Sequence, residues 1–389
     1  MNRNNKKGQE INIDRNAALT LLITFCAFLA CLTVMVTCMI LNAVTDADDY
    51  VVHTGGGNKK PAGPDTQAST VTKPGEKTGI ILPSVTKDGT YLSAATDKTI
   101  DVSTDEDIDS AAIVLTDITD GVVVAGKSAD ERVYPASMTK VMTLLVACEN
   151  AKDANAKLTV TEEMINKYKE PQNKGGSVAF EWKQGYSVTV EDALYLIIYQ
   201  SDTFACWLVA DYVAGGEEQF VELMNAKAAE LGLTSTHFTN CTGLYNVEHY
   251  TTCREMAAIM AAAMNNTAAE TVLGRNTQYF VSVYQEGSTE STSMGMWCDW
   301  YTSRLEKNKY ANTAPYYAGK GSNIMIVGGK TGYEDIPTSC FVTAGVDDTT
   351  GRRYVCVQVG RINKDQTSVN TATSTFDTRE MYWKYAKES

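Results

Sequence analysis

Histidine is scarce in this chain: His53, His237 and His249 are the only three in 389 residues. None lies in a context that would build a serine–histidine–acid relay, so a nucleophile here would need another base. Positive charge is also short, with 34 Lys and Arg against 47 Asp and Glu and a net charge of −13. Binding nucleic acid needs a basic face to meet the phosphates, which excludes nucleic acid as the main partner. No Cys-x-x-Cys pair occurs among the ten cysteines. That removes the usual signature of structural zinc or dithiol redox chemistry, and no metal or organic cofactor is implied.

What is present begins with a long apolar run. Residues 17–44 carry no charge, enough to span a bilayer with some tilt. A cleaved signal would have an apolar core of roughly 7–15 residues. Arg3, Lys6, Lys7 and Arg15 precede the run, and Asp46, Asp48 and Asp49 follow it. The positive-inside rule therefore predicts a cytoplasmic tail over 1–16, a transmembrane helix over 17–44, and everything beyond outside the cell membrane. Residues 45–107 are rich in Gly, Pro, Thr, Ser, Asp and Lys and read as a flexible linker. Seven cysteines follow the span: Cys148, Cys206, Cys241, Cys253, Cys298, Cys340 and Cys356. An odd set cannot all pair within one chain. Cys148, Cys206, Cys340 and Cys356 sit in apolar patterns and read as small buried hydrophobes. A Cys241–Cys253 bridge stays open.

Residues 108–389 are expected to form the folded domain. Ala111–Asp117 and Val122–Ala125 read as strands around an Asp120-Gly121 turn. A helix follows from Ser137 to about Asn150. Thr189-Val190-Glu191-Asp192 and Thr252-Cys253-Arg254-Glu255 read as capping boxes opening helices at 192–199 and 256–264. Helices are also predicted over 203–213 and 217–231, the latter stopped by Gly232. Residues 270–322 show no strong period. Strands at 324–327, 339–346 and 352–359 and a closing helix at 376–386 complete the chain. There is no internal repeat. The order predicts an α+β fold, an antiparallel sheet flanked by helices with an all-helical subdomain inserted.

Ser137-Met138-Thr139-Lys140 opens one of these helices. Three residues apart, the serine and the lysine share a helical face, and an amine there can take the hydroxyl's proton without histidine. The pattern alone is weak: about one or two matches arise by chance in a chain this long. Ser84-Val85-Thr86-Lys87 and Lys77-Thr78-Gly79 are such accidents, in a segment without helical period and in the wrong order. The copies that matter stand in context. Ser137 opens a helix, and Lys330-Thr331-Gly332 continues a strand-like run.

With Ser201-Asp202-Thr203 between them, three elements stand in order. The chain resembles the penicillin-binding-protein and serine β-lactamase superfamily, whose motifs are Ser-x-x-Lys, Ser-x-Asn and Lys-Thr-Gly. Within it the likeness is to the low-molecular-weight serine D-alanyl-D-alanine carboxypeptidases. It extends to the flanks Arg132–Lys140, Tyr195–Ser201, Ala210–Gly215, Leu231–Phe238 and Gly328–Tyr333, and covers residues 108–389.

The resemblance implies roles. Ser137 is the nucleophile that forms an acyl-enzyme, Lys140 its general base, and Ser201 a relay toward the leaving amine. Lys330 and Thr331 would hold the substrate's terminal carboxylate, and Gly332 would let its backbone approach an edge strand. The N–H groups of Ser137 and Tyr333 would form the oxyanion hole. The implied substrates are peptidoglycan stem peptides ending in D-Ala-D-Ala, with β-lactams as covalent inhibitors. The chain departs from the pattern at Thr203, where the family has asparagine. Threonine has a shorter side chain with one donor, which leaves as an alternative a weak or inactive homologue acting as a wall-binding or sensor module. A β-lactamase is disfavoured, because no Glu-x-x-x-Asn lies between Thr203 and Lys330. The N-terminal span seen here would replace the family's C-terminal anchoring helix.

Overall fold

The computed structural model describes residues 79–386, except 276, 289, 297, 299–316, 319–321, 335–337 and 361–370. The predicted tail, membrane span and first part of the linker lie outside the described residues. No helix among the described residues is long and apolar enough to cross a membrane.

One sheet is built from both ends of the domain. Its strands are β1 (Ile100–Asp101), β2 (Ala112–Asp117), β3 (Val122–Lys127), β8 (Ile324–Glu334), β9 (Thr338–Asp347) and β10 (Arg353–Val359), in the order β1-β3-β2-β10-β9-β8. The run Ala112-Ile113-Val114-Leu115 is buried throughout, as a central strand covered on both faces must be. It pairs antiparallel with β10, Val114 opposite Val357. β8 closes the sheet as an edge strand against β9. Helix α8 (Thr371–Tyr385) packs on β9 and β10, where the Tyr354 hydroxyl donates to the Ala386 carbonyl at 2.8 Å.

Between β3 and β8 lie α1 (Thr139–Asn150), α2 (Glu162–Lys169), α3 (Val190–Tyr199), α4 (Thr203–Ala214), α5 (Glu217–Glu230), α6 (Cys253–Ala263) and α7 (Thr267–Gly274). Every residue of α3 is buried, which identifies a core helix rather than an amphipathic one. Each of Leu194, Leu196, Ile197 and Ile198 contributes about 1.5–3 kcal/mol by leaving water. The predicted capping box forms. Thr189 accepts from the Asp192 N–H at 3.1 Å, and the Asp192 carboxylate accepts from Thr189.

Three expectations need correction. The inserted region is not all helical: β4 (Lys157–Thr159), β5 (Tyr186–Thr189), β6 (Tyr279–Gln285) and β7 (Ser291–Met296) form a second sheet in that order. In β6, Tyr279, Val281 and Val283 face inward while Phe280, Ser282 and Tyr284 are half-buried. Aromatics on both faces hide the period-2 signal. The first sheet is not wholly antiparallel either, since β1 runs parallel to β3. The linker does not extend to residue 107. Ile80 and Val102 join the core. The Ser84 N–H donates to the Cys148 carbonyl at 2.7 Å, and Asn266 holds the Ser84 carbonyl at 2.9 Å. Composition reports how little this segment buries. It is silent on a backbone whose polar groups are satisfied by helix ends and a sheet edge.

All seven cysteines among the described residues are free thiols, and all are buried. Cys241 contacts Cys206 and the Glu217 carboxylate, so it is not bridged to Cys253.

Candidate active site

The first motif begins in strained backbone. Pro135 leads into a 3-10 turn, Ala136–Met138, that feeds α1. Ala136 has φ +46°, a left-handed conformation costing about 1–2 kcal/mol without glycine. Two glycines make room for it. A side chain on Gly243, itself at φ +83°, would drive into the Ala136 carbonyl. One on Gly332 would collide with the Cys340 thiol and lie 3.1 Å from the Pro135 carbonyl. The third motif therefore touches the first through Gly332, and the glycine is required there by a packing contact within the protein.

Ser137 and Lys140 meet as their spacing predicts. The Lys140 amine lies 3.0 Å from Ser137 Oγ and donates to the Thr242 carbonyl at 2.5 Å. Lys140 is 2% exposed. Thr242 belongs to a loop that sequence reading passed over. The Asn240 side chain organises it, accepting from the N–H groups of Thr242 (3.2 Å) and Gly243 (2.7 Å) and donating to the Leu244 carbonyl (2.9 Å). The sequence signal was there in Asn240-Cys241-Thr242-Gly243, an Asx turn ending in glycine. Glu217, at the start of α5, accepts from the Cys241 N–H at 3.0 Å and braces the same loop.

His249 supports this region from behind. Its Nδ1 accepts from the Thr239 N–H at 3.2 Å, which leaves Nε2–H to donate to the Thr139 hydroxyl at 2.8 Å. Burial first, then the charges of His237 and Lys140, push its pKa down to about 3. An unfolded histidine titrates near pH 6.5. Between these values the unfolded state binds the extra proton, so stability falls as pH drops through that window. Between pH 7 and pH 4 the native protein should lose about 3 kcal/mol more than a His249→Gln variant. Urea midpoints of both proteins at the two pH values check this; equal losses would refute it.

The second motif lies at a break between helices. α3 ends at Tyr199, Ser201 takes φ +57°, and Asp202 caps α4 by accepting the Ala205 N–H at 2.8 Å. The second Asp202 oxygen accepts the Ala179 N–H at 2.7 Å and the Trp182 indole N–H at 3.0 Å. Burial raises the Asp202 carboxyl pKa, opposed by these three hydrogen bonds and by the Lys140 cation. The left-handed turn brings the Ser201 hydroxyl to the third motif: Lys330 on β8 donates to it at 3.1 Å and to the Thr331 carbonyl at 2.8 Å. Lys330 is 1% exposed, Thr331 is buried, and Tyr333 is half exposed on the edge strand. Ser137, Lys140, Ser201, Lys330, Thr331, Gly332 and Tyr333 thus lie on three elements that meet. Thr203 does not join them: it is fully buried, and its hydroxyl has no hydrogen-bond partner.

A family model described as D-alanyl-D-alanine carboxypeptidase matches residues 98–361. The chain belongs to that family. A D-alanyl-D-alanine carboxypeptidase of Escherichia coli K12, DacC, is 36% identical over 178 residues, 44% of each chain. DacF of Bacillus subtilis is 30% identical over 236 residues, 61% of this chain and 54% of that one. The chain spans about half the length of the curated relatives it matches. The DD-transpeptidase of Streptomyces K15 superposes with a TM-score of 0.58 at 23% identity, over 71% of this chain and 97% of that one. That likeness concerns the fold. Ser137 and Lys140, the serine and lysine of the first motif, lie within the matched residues, as does Thr203 of the second.

Proposed function

We propose that this chain is a membrane-anchored serine D-Ala-D-Ala carboxypeptidase that trims peptidoglycan stem peptides outside the cell membrane. The observation that carries the reading is the buried Lys140 amine 3.0 Å from Ser137 Oγ, with Lys330 and Ser201 paired beside it. With the amine neutral, the Ser137 hydroxyl donates to its lone pair. The oxygen attacks the carbonyl of the penultimate D-Ala, and its proton passes to Lys140. The N–H groups of Ser137 and Tyr333 take the developing oxyanion. Collapse breaks the peptide bond, and the proton held by Lys140 passes by way of Ser201 to the departing amine, which leaves the lysine neutral and the Ser201 hydroxyl intact. Water then hydrolyses the ester. Lys330 and Thr331 hold the terminal carboxylate.

Intact-mass spectrometry of the full chain in detergent, after penicillin, tests the nucleophile. One adduct is expected, and none on Ser137→Ala. Release of D-alanine from an acyl-D-Ala-D-Ala peptide tests turnover. The alternative, a wall-binding module without peptidase activity, is favoured by the burial of Thr203, and folded protein without an adduct would select it. Anchoring rests on the uncharged run 17–44. Protease digestion of the domain on intact spheroplasts, with the first residues protected, is the expected outcome.

A further inference from the structure

The segment between α2 and β5 folds over the second motif. Its Gly176 N–H donates to the Asn173 carbonyl at 3.1 Å, and its carbonyl accepts from the Tyr168 hydroxyl at 3.0 Å. The next carbonyl, of Ser177, accepts the Thr203 N–H at 2.9 Å. Asp202 holds the far side through Ala179 and Trp182. A side chain on Gly176 would drive into the Thr203 hydroxyl, and one on Gly175 would lie 3.7 Å from Leu244, in the loop that holds Lys140. The loop thus seals Thr203 and reaches toward Leu244, while Gly175 and Ser177 stay exposed.

We infer that Gly176 is a specificity-determining residue: its missing side chain lets the 173–178 loop close over Thr203, so the acyl-side wall is loop backbone and the second motif's third side chain is withdrawn from the substrate. This rests on the proposed acyl-transfer reading. An asparagine facing the cleft could donate to and accept from an acyl amide. A fully buried threonine does neither. The chain therefore selects acyl groups by their fit to the loop and is indifferent to the hydrogen-bonding capacity of residue 203.

Two β-lactams separate the alternatives: benzylpenicillin, which carries an acylamino side chain, and 6-aminopenicillanic acid, which lacks it. The readout is the ratio of their acylation rates on the full chain. Thr203→Val keeps the shape and removes the hydroxyl, and should move the ratio less than twofold. Gly176→Ala should lift the loop, shift the ratio at least fivefold and lower the melting temperature. Gly176→Ala with Thr203→Ala restores the space and should return both toward the native values. A fivefold shift in Thr203→Val would overturn the inference, because the hydroxyl would then read the amide. So would an unchanged ratio and melting temperature in Gly176→Ala. If Gly176→Ala fails to fold, the double variant decides: recovered folding with a native ratio supports the contact, and no recovery refutes it. No adduct on folded native protein removes the acyl-transfer reading and this inference together. An adduct with a Thr203-dependent ratio removes this inference alone.

Discussion

Lys140→Met will slow acylation of Ser137 by penicillin about 10²–10⁴-fold, the usual contribution of a general base. Methionine fills the same volume but cannot take the Ser137 proton. Ser137 Oγ loses the amine 3.0 Å away, and the Thr242 carbonyl loses its donor. Lys140→Arg should not rescue the rate, since a guanidinium stays protonated and cannot act as a base. That result separates proton transfer from simple charge. Pseudo-first-order adduct formation by mass spectrometry reads both variants, with far-UV circular dichroism to show folding. Acylation of Lys140→Met at the native rate would assign the base elsewhere.

Asp202→Ala should destabilise the domain by about 3–5 kcal/mol. The carboxylate serves three donors, the N–H groups of Ala205 and Ala179 and the Trp182 indole. Stranding each costs about 1–3 kcal/mol, and the first includes loss of a helix cap. The melting temperature should fall by about 10 °C at this chain size. Burial holds the folded pKa above its ordinary value. The stability linked to that shift is fully present below the unfolded pKa and declines as pH rises through the folded one. The alanine cost should therefore be greatest below the ordinary carboxylate range and shrink as pH rises through the folded value. A melting temperature unchanged by the substitution would show that the loop over α4 is held by something other than this carboxylate.

Much of the site was legible because its signals are local. Ser137 and Lys140 meet through helical spacing alone, and the Thr189 box follows from four consecutive residues. Lys330 was readable as a strand residue because Ile324–Val327 is apolar and Lys330-Thr331-Gly332 continues it. The Asn240 loop was overlooked although its turn chemistry is written in the chain, because only contact with Lys140 makes it part of a site. Residues 79–107 were misread because hydrophobicity counts side chains, whereas this segment is held largely through its backbone.

The amino-acid sequence by itself determined which groups are available: a serine and a lysine on one helical turn, a second serine before a helix, a lysine on an edge strand, and no histidine relay. It also determined family membership, since ordered motifs with matching flanks survive without knowledge of contacts. Only the tertiary structure decided which groups face one another. Ser201 reaches Lys330 across 129 positions of chain because of a left-handed turn, and Thr203 is buried with Gly176 packed against its hydroxyl. Helical spacing and caps arise from interactions within a few residues. Burial and pairing depend on where distant segments come to rest, which local preference does not encode.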